Sequence, residues 1–248
     1  MPVFNVPLWF LALLVSTELL HYFAGRFLRS DFRLIAGAAG FYAFGYYLNL
    51  RIEFFQPNSF FVGSFWFVNE VPVVYAFYLV GVLMRRRGIF LKTISRPVLV
   101  AGIAASFLAV LFTFDRNTGP FVYLDAVVIM LSGHGHVLLF PFTALAGSLL
   151  LLLLAKASGE SRLLMFLGKN TIILFCLNGV FYHFFNQPWA AWAKANLPAS
   201  AAAIFGFGTA ATLVSLLLCF PVVVLFSRYF PQLVSRPAVH GPVLKPLV

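Results

Sequence analysis

The chain has 248 residues, of which 62 % are hydrophobic and only 10 % charged, and it carries a formal charge of +10. A soluble domain is roughly half apolar and about a quarter charged. With a mean hydropathy of +0.95 there is too little polar surface to coat a globule in water, and a soluble enzyme is excluded. Cys176 and Cys219 both lie inside apolar runs, which speaks against a disulfide framework and offers no metal site.

A hydrocarbon core about 30 Å thick takes about 20 apolar residues to cross as helix. In chain order, the stretches 7–25, 33–50, 64–84, 97–114, 137–155, 170–187 and 200–227 meet that length. They predict an all-α polytopic integral membrane protein with about seven transmembrane helices. The last stretch is overlong and holds Pro221, so a tilt, a kink or an end is expected there. The stretch 121–133 is too short to span and carries Asp125, and it reads as an interfacial or re-entrant piece. No basic residue precedes the first apolar run, so the opening does not read as a secretory signal. Residues 1–236 read as one membrane domain, followed by a short Pro-rich tail over 237–248.

The basic residues fix a direction. On every second connection lie Arg26, Arg29 and Arg33; Arg85, Arg86, Arg87, Lys92 and Arg96; Lys156, Arg162 and Lys169; and Arg228, Arg236 and Lys245, together 14 of the 17. The other side keeps Arg51, Arg116 and Lys194. Positive charge stays in the cytoplasm, which predicts the N-terminus outside and the C-terminus inside. Orientation accounts for the net charge, and no nucleic-acid partner is expected.

Ionisable groups inside a bilayer cost about 2.5–3.5 kcal/mol each on insertion scales and mark functional candidates. Glu18 and His21, in STELLHYF, share a helix face at i, i+3 spacing. Such a pair suits a base with an orienting carboxylate. It equally suits polar glue between helices, which is the plainer reading. In LSGHGHVLLF, His134 and His136 can point the same way from an extended segment, with Asp115, Arg116 and Asp125 in the same outer loop. That set admits a sugar site, an acid and base, or simply solvated loop histidines; a metal would need a further ligand. Arg51, Glu53 and Glu70 are outer groups able to touch a polar substrate or to cap helices.

On the cytoplasmic side Arg85, Arg86 and Arg87 form a cluster able to hold phosphates, beside its plainer role as a topological signal. In LMFLGKNTIILF, Gly168 breaks the preceding segment and Asn170 stands where a helix N-cap belongs, with Lys169 next to it, an arrangement suited to an anionic group. Asn178 and His183 share the following span. A phosphate-binding glycine loop, a GxSxG elbow and an HExxH motif are all absent.

Two stretches carry a resemblance: VPLWFLALLVSTELLHYF at the opening and LLMFLGKNTIILFCLNGVFYHFF later, the second preceded by FPFTALAGSLLLLLLAK. In order, over about residues 6–185, they resemble the membrane O-acyltransferases of acyltransferase family 3, especially the fucose 4-O-acetylase-like branch. The resemblance implies transfer of an acyl group, usually acetyl, from cytoplasmic acyl-CoA as co-substrate, with no bound cofactor, to a hydroxyl of a cell-surface or exported carbohydrate. It implies residence in the cell membrane, the bacterial inner membrane. CoA phosphates would meet Arg85–Arg87 or Lys169 and Asn170, and a sugar would approach His134, His136, Asp115 and Asp125. Glu18 and His21 would contribute to the chemistry. The chain starts at the helix that family members carry in mid-chain. The N-terminal Arg and His motif is therefore expected to be missing, and a membrane partner supplying those helices is implied. Asn178 stands where the family often has His. The rivals are a non-catalytic membrane subunit of a polysaccharide-assembly complex and a transporter.

Overall fold

The computed structural model describes residues 9–51, 67–119, 127, 129, 133–198, 200–233 and 242–243, without the side chains of 90, 178–183 and 201. Among these residues the chain is helical with no strand, and it forms two compact units that divide between Gly159 and Glu160.

The first unit holds α1 (Trp9–Ala24), α2 (Asp31–Arg51), α3 (Val71–Arg86), α4 (Arg96–Phe114) and α5 (Leu139–Ala157). Its main packing pairs are α2 with α3 and α4 with α5. Gly45 makes the first possible, because a Cβ there would sit 2.7 Å from Val73 Cγ2 and 2.8 Å from the Val73 nitrogen. At the other end of the same interface Leu34, Tyr75 and Leu79 form a fully enclosed cluster. Between α4 and α5, Thr143 donates to the Thr113 hydroxyl at 2.7 Å, while Thr113 donates to the Ala109 carbonyl. The pair joins two apolar helices without leaving a hydroxyl unsatisfied.

The second unit holds α6 (Arg162–Lys169), α7 (Thr171–Phe181), a π-helical turn over Tyr182–Asn186, α8 (Gln187–Asn196) and α9 (Ala201–Tyr229). Ser161 and Ser200 cap α6 and α9, each hydroxyl accepting the N–H three residues on. Ile173 and Val223 form its buried centre, with Phe166 stacked on Phe220 at 4.7 Å.

Among the described residues, three helices are long and apolar enough to cross a bilayer: α4, α5 and residues 202–229 of α9. They match the expected spans 97–114, 137–155 and 200–227. In α4 only 6 % of the spanning window is buried within the chain, leaving most of it as apolar outer surface. Among the described residues the other expected spans do not combine that length with that hydropathy. α3 has 16 residues, about 24 Å at 1.5 Å per residue; α1 covers 16 described residues, and the expected span 7–25 begins outside them. α2 has 21 residues, but its glycines, tyrosines, Asn49 and the charges at its ends lower its hydropathy. The expected span 170–187 divides into α7 and the π-helical turn, and Pro188 then opens α8. α9 runs through Pro221 to Tyr229 rather than ending at it. Most of 121–133, including Asp125, and most of the 237–248 tail lie outside the described residues, as does Glu53.

Candidate active site

The polar residues of α2 at positions 42, 46 and 49 fall on one face, at the spacing of successive helical turns. Tyr42 donates to the Val137 carbonyl at 2.6 Å and Tyr46 to the Gly135 carbonyl at 2.8 Å. Asn49 accepts from Asn69 Nδ2 at 3.0 Å. One helix face therefore holds two segments distant in sequence, the stretch before α5 and the turn before α3.

That turn places Glu70. Its backbone N–H closes onto the Phe67 carbonyl at 2.9 Å, and Pro72 follows in the first turn of α3, where a missing N–H costs nothing. Phe67 itself sits at φ 57°, the left-handed region that non-glycine residues rarely adopt. Its ring is buried, edge-on to Trp9 at 5.6 Å and beside Leu13 and Val71.

The Glu70 side chain does not cap α3. One carboxylate oxygen accepts from Asn69 Nδ2 at 2.8 Å, and the other lies 2.8 Å from His134 Nε2. The side chains of His134 and Glu70 are 3 % and 0 % exposed. Phe140 meets the imidazole edge-on at 5.5 Å, and Tyr46 lies 6.2 Å from it. With Glu70 ionised, its oxygen accepts the Nε2–H and the lone pair is left on Nδ1, which has no partner among the described residues. This is an imidazole oriented by a carboxylate. A cavity of about 210 Å³ adjoins it, lined by Phe114, Asn117, Val127, Ile129, Phe140, Thr143 and Ala144.

His134 and His136 do not point the same way. Gly135 takes φ 63°, and a Cβ there would lie 2.5 Å from Asn117 Oδ1. Asn117 accepts the His136 N–H at 2.9 Å. The chain turns, and His136 is exposed, its Nδ1 accepting from the backbone N–H groups of Leu138 and Leu139 at the start of α5. Asp115 and Arg116 are exposed at the end of α4 and bond neither histidine.

Glu18 and His21 are likewise not partners of each other. Tyr78 donates to Glu18 at 3.1 Å, and His21 Nδ1 lies 3.1 Å from the Tyr75 hydroxyl. The His21 ring covers Gly25, where a Cβ would meet it at 3.0 Å. The pair ties α1 to α3 through two tyrosines.

Of the arginine cluster, two members are occupied. Arg86 donates to the Arg29 carbonyl at 2.8 Å and to Asp31 at 3.3 Å, and Arg87 to Asp31 at 2.9 Å. Arg51 stacks on Tyr47 and bonds its hydroxyl. Lys169 is exposed at the end of α6. Asn170 is buried, and its side chain faces backward and sideways: Nδ2 donates to the Phe166 carbonyl at 2.8 Å and Oδ1 accepts from Ser227 at 3.0 Å. It locks α7 to α9 and does not cap α7 with its side chain. The side chains of Asn178 and His183 lie outside the described residues.

The model of the acyltransferase domain family matches residues 1–227, most of the chain. The chain belongs to this acyltransferase family. No curated protein and no solved structure matches it. As an acyltransferase-family chain with three bilayer-length apolar helices, it is read as a membrane protein. Along α3 the acyltransferase domain carries Glu70 at one end, Tyr75 and Tyr78 midway, and Arg85–Arg87 at the other, a run of about 24 Å by helical rise. Sequence reasoning named Glu70 and His134 separately and missed that they meet. The polar stripe Tyr42, Tyr46 and Asn49 was the readable signal that α2 gathers something.

Proposed function

We propose that this chain transfers an acyl group, acetyl in the first instance, from cytoplasmic acyl-CoA to a hydroxyl of a cell-surface or exported carbohydrate. We place it in the fucose 4-O-acetylase-like branch, as a multi-pass protein of the bacterial inner membrane with the N-terminus outside and the C-terminus inside. The buried contact between His134 and Glu70 carries this reading, set beside family membership. His134 Nδ1 takes the proton of the attacking hydroxyl while Glu70 holds the imidazole and balances its charge. The oxygen bonds the thioester carbon, the carbon–sulfur bond breaks, and the proton passes to the departing thiolate. CoA phosphates meet Arg85, which makes no hydrogen bond or ion pair among the described residues, or alternatively the exposed Lys169.

The near-complete enclosure of His134 and Glu70 favours a second reading, in which the pair is a lock between helices in a non-catalytic subunit of a polysaccharide-assembly complex. Membranes bearing the full chain, given radiolabelled acetyl-CoA, separate the two. The acyltransferase reading expects hydroxylamine-releasable label that vanishes in His134→Gln and Glu70→Gln while both variants stay folded in detergent. Label that persists in both folded variants overturns the catalytic assignment. No label at all, with both variants unfolding, favours the lock and directs the search to a partner that supplies further helices.

A further inference from the structure

In the second unit, α8 and α9 leave a cavity of about 270 Å³ between them, and none of the residues invoked for acyl transfer lines it. Among the described residues it is lined by Ala190, Ala193, Leu197, Pro198, Ile204 and Phe207, with Ala203, and the charged residue in that lining is Lys194. The three alanines, spread over both helices, create the space. A carbohydrate would find almost no donor or acceptor in this lining. An alkyl chain meets no such penalty.

Lys194 is exposed and pairs with no carboxylate among the described residues, whose ion pairs lie at Asp31 and Glu70. Lys194 thus lines the cavity and remains exposed, and a lysine at a bilayer surface can lay its stem on apolar surface with the ammonium in water. The helix that carries it has the composition of an interfacial segment. Trp189 contacts Phe185 at 4.8 Å and Phe207 at 6.4 Å, and Trp192 is 56 % exposed. Tryptophan and lysine together sit at headgroup depth.

We infer that this cavity holds one acyl chain of an anionic phospholipid whose phosphate is paired with Lys194. The inference needs the chain in a membrane but does not depend on its being an active acyltransferase. Native mass spectrometry of the full chain, purified from phosphatidylcholine vesicles containing phosphatidylglycerol, tests it. The expected result is a retained phosphatidylglycerol adduct on the wild type. Ile204→Trp, which fills the mouth from an exposed position, and Ala193→Trp, which fills the floor, should both lose it. Lys194→Gln should keep an adduct but lower the preference for phosphatidylglycerol over phosphatidylcholine about fivefold, the worth of one lysine at an anionic surface. An adduct unchanged in folded Ile204→Trp overturns the site. Equal retention of the two lipids by the wild type overturns the role of Lys194. Thermal stabilisation by inorganic phosphate alone, dependent on Lys194, would make this an anion site and overturn the acyl-chain assignment.

Discussion

His134 Nε2 and Glu70 Oε2 lie 2.8 Å apart, although 64 residues separate them in sequence. Removing one partner of such an enclosed pair strands the other, a loss of about 3–5 kcal/mol, while replacing both is milder. Thermal unfolding in detergent should therefore show His134→Ala and Glu70→Ala each strongly destabilised. The double variant should be no worse than the weaker single one. Additive losses would mean the two residues do not act as a pair.

Gly45 and Gly40 lie on the same helix and should respond oppositely to alanine. At Gly45 the new methyl would meet Val73 and Pro72 at 2.7–2.9 Å, whereas at Gly40 nothing lies within 4 Å. Gly45→Ala should cost about 1–3 kcal/mol by overpacking, and Gly40→Ala should gain up to about 1 kcal/mol of helix propensity. Unfolding midpoints of the two variants check this directly.

Asp31 is held below its ordinary 3.8 by the hydrogen bond from Arg87, with Arg86 adding to it. A carboxyl depressed in the folded state stabilises above its unfolded value and loses that contribution as pH falls through its folded value. The Arg86–Asp31–Arg87 clamp should thus be insensitive to pH from 7 down to about 4 and fail below 3.8. Wild type and Asp31→Asn should converge in unfolding midpoint only in that acid range. Convergence already at pH 6 would show that the clamp is not what stabilises this end.

Asn170 should resist even isosteric change. Asn170→Asp keeps an acceptor for Ser227 but sets a carboxylate against the Phe166 carbonyl in place of an N–H. Asn170→Asp should cost more than Ser227→Ala, which removes one hydrogen bond worth about 1 kcal/mol. If Lys169 and Asn170 instead served an anionic ligand alone, both variants would unfold like the wild type.

The helical class and the helices α4, α5 and α9 were legible in the sequence because long uniform apolar runs have few alternatives. α3 reads as longer than it is, since hydropathy does not register where a helix yields to a turn, as it does at Phe67–Glu70. His134 was legible as a candidate, but its partner was not. The contact needs Gly45 to let α2 and α3 close, the tyrosine stripe to hold the segment before α5, and Gly135 to turn it. Only the stripe leaves a periodic mark, and it does not say which segments it holds. His136 was misread for the same reason: alternation along an extended strand assumes a straight chain, and a positive φ at Gly135 removes that assumption.

Phe67 gives the site a mechanical side. Holding a phenylalanine in the left-handed region stores about 1–2 kcal/mol, and its packing against Trp9 and Leu13 restrains it there. Were α1 to shift and lift Trp9 away, Phe67 would relax toward the right-handed region, and the peptide that orients Glu70 would rotate with it. The carboxylate would then swing off His134 and open the enclosed pair. α1, which contributes no atom to that pair, would thereby be its latch, and Trp9→Ala should expose His134 to modification by diethyl pyrocarbonate before it unfolds the protein.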